Sequence, residues 1–145
     1  CTSKVVLMSD EVPAVIRALY SGLESGAHGE ALRGLFTAGA SSVEHPNAFN
    51  PAGSRRSLDE MLAASTAGAG LLREQRYDVR SCIVAGDLAI LRVRWTGIVA
   101  REVGPLRPGR SLVAHIAQFV QIDGQRIAAI ETYDCYEPLD HQRPA

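Results

Sequence analysis

From Tyr77 onward the chain changes period, and that change limits its fold more than any other feature. Tyr77–Val84, Leu88–Arg101, Leu112–Ile122 and Arg126–Tyr136 are rich in β-branched and aromatic residues, so they read as four strands. Ala85-Gly86-Asp87 joins the first two, and Asp123-Gly124 marks a hairpin between the last two. Glu102–Arg110 carries two prolines and two glycines and is a turn region. Upstream the period is helical. Val12, Val15, Ile16, Leu19, Tyr20 and Leu23 make one apolar stripe, with Ser9 or Asp10 as cap, Pro13 in the first turn and Gly26 as the stop. A second helix is expected over Glu30–Phe36, with Leu32, Leu35 and Phe36 inward, and a brief strand over Ser41–His45 before Pro46. Asn47–Arg56 reads as loop, and Ser57-Leu58-Asp59-Glu60 is a capping box opening a third helix.

Helices first and a strand meander last imply an α+β domain, a curved antiparallel sheet packed on three N-terminal helices. The 145 residues suit one domain, and 46% apolar with 21% charged residues excludes intrinsic disorder. Residues 8–140 are expected to form that domain, with 1–7 a leader or remnant and 141–145 a flexible tail. Fifteen Lys and Arg against sixteen Asp and Glu leave no basic excess for a nucleic-acid backbone. Three cysteines without a CxxC exclude a disulfide scaffold and a zinc ribbon. No apolar run approaches the ~18 residues of a membrane span, so a cytoplasmic protein is expected. Leu88-Ala89-Ile90-Leu91 and Ile116-Ala117 lack polar alternation, so both faces of the sheet need cover, and a second copy of the chain is the simplest one: a homodimer.

The order of elements, with VEHPN (Val43–Asn47), RWTG (Arg94–Gly97), GRSLVAHIAQF (Gly109–Phe119) and DGQRIAAIETYDCYEP (Asp123–Pro138), resembles the nuclear transport factor 2-like superfamily. The resemblance lies with its SnoaL-like, ketosteroid-isomerase-like branch and runs from Val12 to Pro138. It implies a cone-shaped sheet over an apolar pocket and, in catalytic members, proton chemistry by an acid beside hydrogen-bond donors. Limonene-epoxide-hydrolase-like members use an Asp-Arg-Asp relay that is not matched here, because Leu91–Trp95 holds no acid and Thr132 stands near the expected second one.

Strand alternation puts Ile130, Thr132, Asp134 and Tyr136 on one face. Asp134 among apolar neighbours is the candidate acid/base, since desolvation raises a carboxyl toward the useful range; paired with an arginine it would be purely structural. His115 sits mid-strand with apolar residues on both sides, which leaves its face open. SnoaL-like relatives often carry a pocket histidine on this strand, so the resemblance makes His115 a second candidate. His45 is taken as the inner residue of the Glu44–His45 pair at the pocket rim, with Glu44 outside against an arginine. Tyr20, Trp95, Ile116, Ile130 and Thr132 are expected to line the pocket. No HxH, HExxH or CxxC spacing supports a metal, and no GxGxxG supports a dinucleotide cofactor. The residues therefore suggest a cofactor-free isomerase, cyclase or hydrolase for an apolar ligand bearing a carbonyl or hydroxyl. The alternative is a non-catalytic ligand-binding or dimerisation module in which the same polar groups satisfy one another.

Overall fold

The computed structural model describes residues 8–139, so the expectations for 1–7 and 141–145 lie outside the described residues. Ten elements follow one another: β1 (Met8–Ser9), α1 (Ala14–Glu24), α2 (Glu30–Arg33), β2 (Phe36–Glu44), β3 (Ser54–Ser57), α3 (Leu58–Ala67), β4 (Leu72–Ala85), β5 (Leu88–Val99), β6 (Ser111–Asp123) and β7 (Arg126–Tyr136). The strands form one curved seven-stranded sheet in the order β1-β4-β5-β6-β7-β2-β3. The α+β architecture with three helices is as expected. The sheet is mixed rather than wholly antiparallel, because β2 runs parallel to β7 with Ser42 opposite Ile130 and Glu44 opposite Thr132.

Three local readings shift. The first helix starts at Ala14 with Pro13 in the cap position and no side-chain cap bond, so neither Ser9 nor Asp10 caps it. The second helix ends at Arg33, and Phe36, expected on it, instead opens the nine-residue β2. Gly34 has almost no helix propensity, and Ile127 donates its amide to the Leu35 carbonyl, so sheet pairing captures the segment. Part of the expected loop is β3, which pairs antiparallel with β2. The capping box stands as read: Ser57 Oγ accepts from the Glu60 amide, and Glu60 Oε1 accepts from the Ser57 amide.

Alternation along β5 turns Ala89, Leu91, Val93, Trp95 and Val99 inward. Ile16 and Leu19 of α1, Leu32 of α2, and Leu58 and Leu62 of α3 meet Ala89, Leu91 and Val93, with Val120 and Ile127, in the main core. A side chain buried as fully as Ile16, Leu91 or Ile127 contributes roughly 1.5–3 kcal/mol. A smaller cluster of Trp95, Val99, Leu106, Leu112 and Ala114 occupies the other end of the sheet. The inner face therefore has a greasy floor beneath the helices, and the wider end is lined by aromatic residues.

Gly97 belongs to that end. A Cβ there would stand 2.6 Å from Trp95 Cη2 and 2.8 Å from Cζ2, so the indole lies flat over a glycine two residues along its own strand. Gly97→Ala is expected to displace the indole, shift the emission of this only tryptophan, and cost about 1–3 kcal/mol. Emission and melting temperature matching the parent protein would refute that packing.

Candidate active site on the inner sheet face

Strand register decides which side chains meet. Between β6 and β7, Ala114 opposes Tyr136, Ile116 opposes Asp134, Gln118 opposes Thr132 and Val120 opposes Ile130. Val120 is fully buried beneath the helices and Ala114 fully buried beside Trp95, so the whole even-numbered row faces inward. Across the sheet, Tyr77 of β4 opposes Trp95 of β5 on the same face. Tyr20 of α1 closes the row from above. Its hydroxyl donates to Gln118 Oε1 at 2.5 Å, and Gln118 Nε2 donates to Thr132 Oγ1 at 3.1 Å. The Tyr20 and Tyr77 rings stack with centroids 4.6 Å apart, and Trp95 Nε1 donates to Gln75 Oε1 at 3.0 Å. Tyr136 stands edge-on to both Trp95 and Phe49.

Asp134 lies at the end of this row, and the acid it meets is Glu44 of β2. Burial pushes the Asp134 carboxyl up to about 6; the charge of Glu44 and a hydrogen bond between the two carboxyls push in the same direction. Burial also drives Tyr77 and Tyr136 well above the ordinary phenol range, helped by the Asp134 charge in both cases. Tyr20 is raised by burial and then by Tyr77. The phenols therefore remain neutral hydrogen-bond donors at any physiological pH, while the carboxyl beside them changes charge close to neutrality.

The histidines fall elsewhere. His115 opposes Arg94 and Cys135 on the outer face, with 59% of its side chain exposed and Nε2 3.4 Å from Glu137 Oε2. It cannot share a cavity with Asp134, because adjacent rows of a strand point to opposite faces. His45 corrects the rim reading. Val43 opposes Glu131 and Glu44 opposes Thr132, so Glu44 turns inward and His45 outward. Its Nε2 lies 2.9 Å from Glu131 Oε2, and its ring stacks on Tyr133 at 4.1 Å. The phase follows from pairing β2 in parallel with β7, which alternation within five residues does not reveal. With His45, His115 and Cys135 on one face and Asp134 on the other, these four do not converge on a metal. Among the described residues no cluster of three or more His, Cys, Asp or Glu has that arrangement.

Tyr20, Trp95, Thr132, Ile130 and Ile116 all lie on or against the inner face, as alternation predicts for the last strand. Glu44, Tyr77, Gln118 and Gln75 join them unpredicted. Gln118 carries a signal in hindsight: it is the only amide in an apolar strand row, and a half-buried amide needs partners. Glu44 carries none.

The family model of the SnoaL-like domain matches residues 16–130. No curated protein matches the sequence. Among solved structures, IdmH from Streptomyces antibioticus, a candidate polyketide cyclase, superposes with a TM-score of 0.68 at 23% identity over 83% of this chain and 88% of that one. A protein of ketosteroid isomerase-like fold from Catenulispora acidiphila, solved with trimethylamine, gives 0.66 at 18% over 85% and 86%. A limonene-epoxide-hydrolase-like epoxide hydrolase of M. tuberculosis gives 0.62 at 11% over 85% and 80%. Identities this low speak for the fold alone. The matched span contains both the helical layer and nearly all of the sheet, and the chain belongs to the SnoaL-like domain family.

Proposed function

We propose that this protein is a cofactor-free acid/base catalyst for an apolar small molecule bearing a carbonyl or hydroxyl, with Asp134 as the proton-carrying group. The observation that carries the reading is a carboxyl raised to about 6 among neutral phenols, with another acid rather than an arginine as its partner. In this reading the ligand's apolar body lies against Trp95, Tyr136 and Ile116, and a buried phenol donates a hydrogen bond to its oxygen. The Asp134 carboxylate takes a proton from the carbon next to a carbonyl, the electron pair moves toward the hydrogen-bonded oxygen, and the same proton returns at another carbon. Isomerisation needs only that exchange; cyclisation uses the same enolate to attack a second carbonyl. The non-catalytic reading has its own support in the Tyr20–Gln118–Thr132 and Trp95–Gln75 bonds, where inner polar groups satisfy one another. It leaves a carboxyl pressed against a carboxylate unexplained.

The outer face supports the homodimer. Central β6 presents Val113, Ala117 and Phe119 there, and Ile83 and Tyr133 are 47% and 44% exposed. Arg92 and Arg94 flank β6 on one side, lining with Arg80 and His115 a shallow depression of about 770 Å³; Glu131 and Glu137 flank it on the other. A twofold axis along β6 sets each arginine flank over the partner's glutamate flank. Light scattering at micromolar concentration is expected to give twice 15.6 kDa, and Arg94→Glu is expected to release monomers. A parent protein that is monomeric under these conditions would remove this arrangement.

Asp134→Asn tests the site. A folded-state carboxyl raised to about 6 contributes stability that is fully present below its unfolded value and is lost as pH rises from about 4 through about 6. The asparagine variant lacks that loss. It should therefore be more stable than the parent at pH 7, on the order of 1–3 kcal/mol, with the advantage vanishing in acid. Turnover of a cyclic or conjugated ketone found by panel screening should fall roughly 10²–10⁴-fold in the variant. A variant less stable at pH 7 and equally stable in acid would reverse the assignment, because that is the signature of a carboxylate paired with a cation.

A further inference from the structure

The loop between β2 and β3 is built around Glu44. Asn47 Oδ1 accepts the amides of Phe49 and Asn50, both at 3.0 Å, which folds residues 47–50 into a tight turn. Gly53 then returns the chain with φ +67°, so close that a Cβ there would stand 2.7 Å from the Glu44 carbonyl oxygen. Phe49 packs edge-on against Tyr136 at 4.5 Å, anchoring the loop to the aromatic wall. The consequence is the position of Asn50, whose Nδ2 donates to Glu44 Oε2. That nitrogen has only protons to offer, so the Glu44 oxygen facing it is an acceptor and carries no proton of its own. The Glu44 carboxyl also meets Asp134.

We propose that Glu44, held by Asn50, is the positioning residue of this site: when the two carboxyls hold one proton between them, Glu44 keeps that proton on the Asp134 side, and it fixes the Asp134 rotamer toward the aromatic wall. The inference deepens the acid/base reading and rests on it for its purpose, though not for its test. Glu44 itself is engaged by Asn50 and Asp134, which leaves Asp134 as the carboxyl that meets a ligand. Two carboxyls in contact cannot both ionise freely, so the pair titrates in two linked steps. The other titratable or charged groups facing them are Tyr77 from β4, Tyr136 from β7 and, on the Glu44 face of β3, Arg56, whose Nη1 donates to Ser54 Oγ at 2.9 Å; Tyr20 and Glu24 of α1 stand one step further off, against Tyr77. The three phenols stay neutral across the range, and Glu24 acts on Tyr77 instead, with its Oε1 accepting the Tyr77 amide at 2.9 Å. Glu44 is the neighbour whose charge and hydrogen bond add to burial in raising the Asp134 carboxyl.

The test is a carbon-detected NMR titration of the side-chain carboxyls in the full, uniformly labelled chain without any ligand. In the parent protein the Asp134 carboxyl should titrate near 6. Glu44→Gln should lower the Asp134 midpoint by about one pH unit, since the like charge is gone and the amide can donate instead. Asn50→Ala, which leaves both acids in place, should free Glu44 to take part of the shared proton, so that the Asp134 resonance moves less through its midpoint than in the parent. Asp134 titrating unchanged in both variants overturns the proposal even if melting temperatures fall. If Glu44→Gln does not fold, the Asn50→Ala titration decides alone. An intact linked titration with undiminished turnover in Asp134→Asn would instead defeat the catalytic reading and leave the shared proton standing.

Discussion

The ladder between β6 and β7 sets Ile116 opposite Asp134 and Gln118 opposite Thr132, and everything that faces the helices takes its phase from those pairs. A one-residue slip would turn Asp134, Thr132 and Tyr136 to the outer face and bring Glu131, Tyr133 and Cys135 inside. What prevents the slip is apolar burial: Val120 and Ile127 are entirely covered under the helices, and Ala114 and Val99 in the cluster at the other end. The irregular step between Gln121 and Ile122 lets both Ile127 and Ile130 reach the helices without changing the phase of the site beyond them. The chemistry is thus held by the packing of residues that take no part in it.

The same sheet presents two faces of different character. Inside, aromatic area surrounds a few polar groups joined in short chains, the Tyr20–Gln118–Thr132 bonds among them. Low local polarity keeps the phenols neutral and makes Asp134 reluctant to ionise. Outside, arginines, glutamates and histidines form exposed pairs that contribute little stability individually.

The four long strands, the first helix, the capping box at Ser57 and the inward row of Ile130, Thr132 and Asp134 were legible in the residues, because period and cap chemistry are local. The SnoaL-like resemblance was legible for the same reason: it rests on short stretches in a fixed order, and residues 16–130 carry it. The faces of His115 and His45 were not. His115 lies between two rows that are both mostly apolar, and nothing local says which row the helices cover. His45 depends on a parallel pairing between β2 and β7, whose paired residues lie some 88 positions apart in the chain.

Glu44 shows the limit most plainly. As a residue it is an acid before a histidine and a proline, better read as a surface partner for an arginine. Its carboxyl meets Asp134 only because β2 lies in register beside β7 and the loop through Asn47, Asn50 and Gly53 closes behind it. Sequence alone determined the four long strands, the first and third helices, their order and the inward phase of the last strand, since each follows from spacing and side-chain type within a few residues. The tertiary structure decided which distant strand each one lies beside, and with it the acid that accompanies Asp134, because register between remote segments is set by the core they jointly bury.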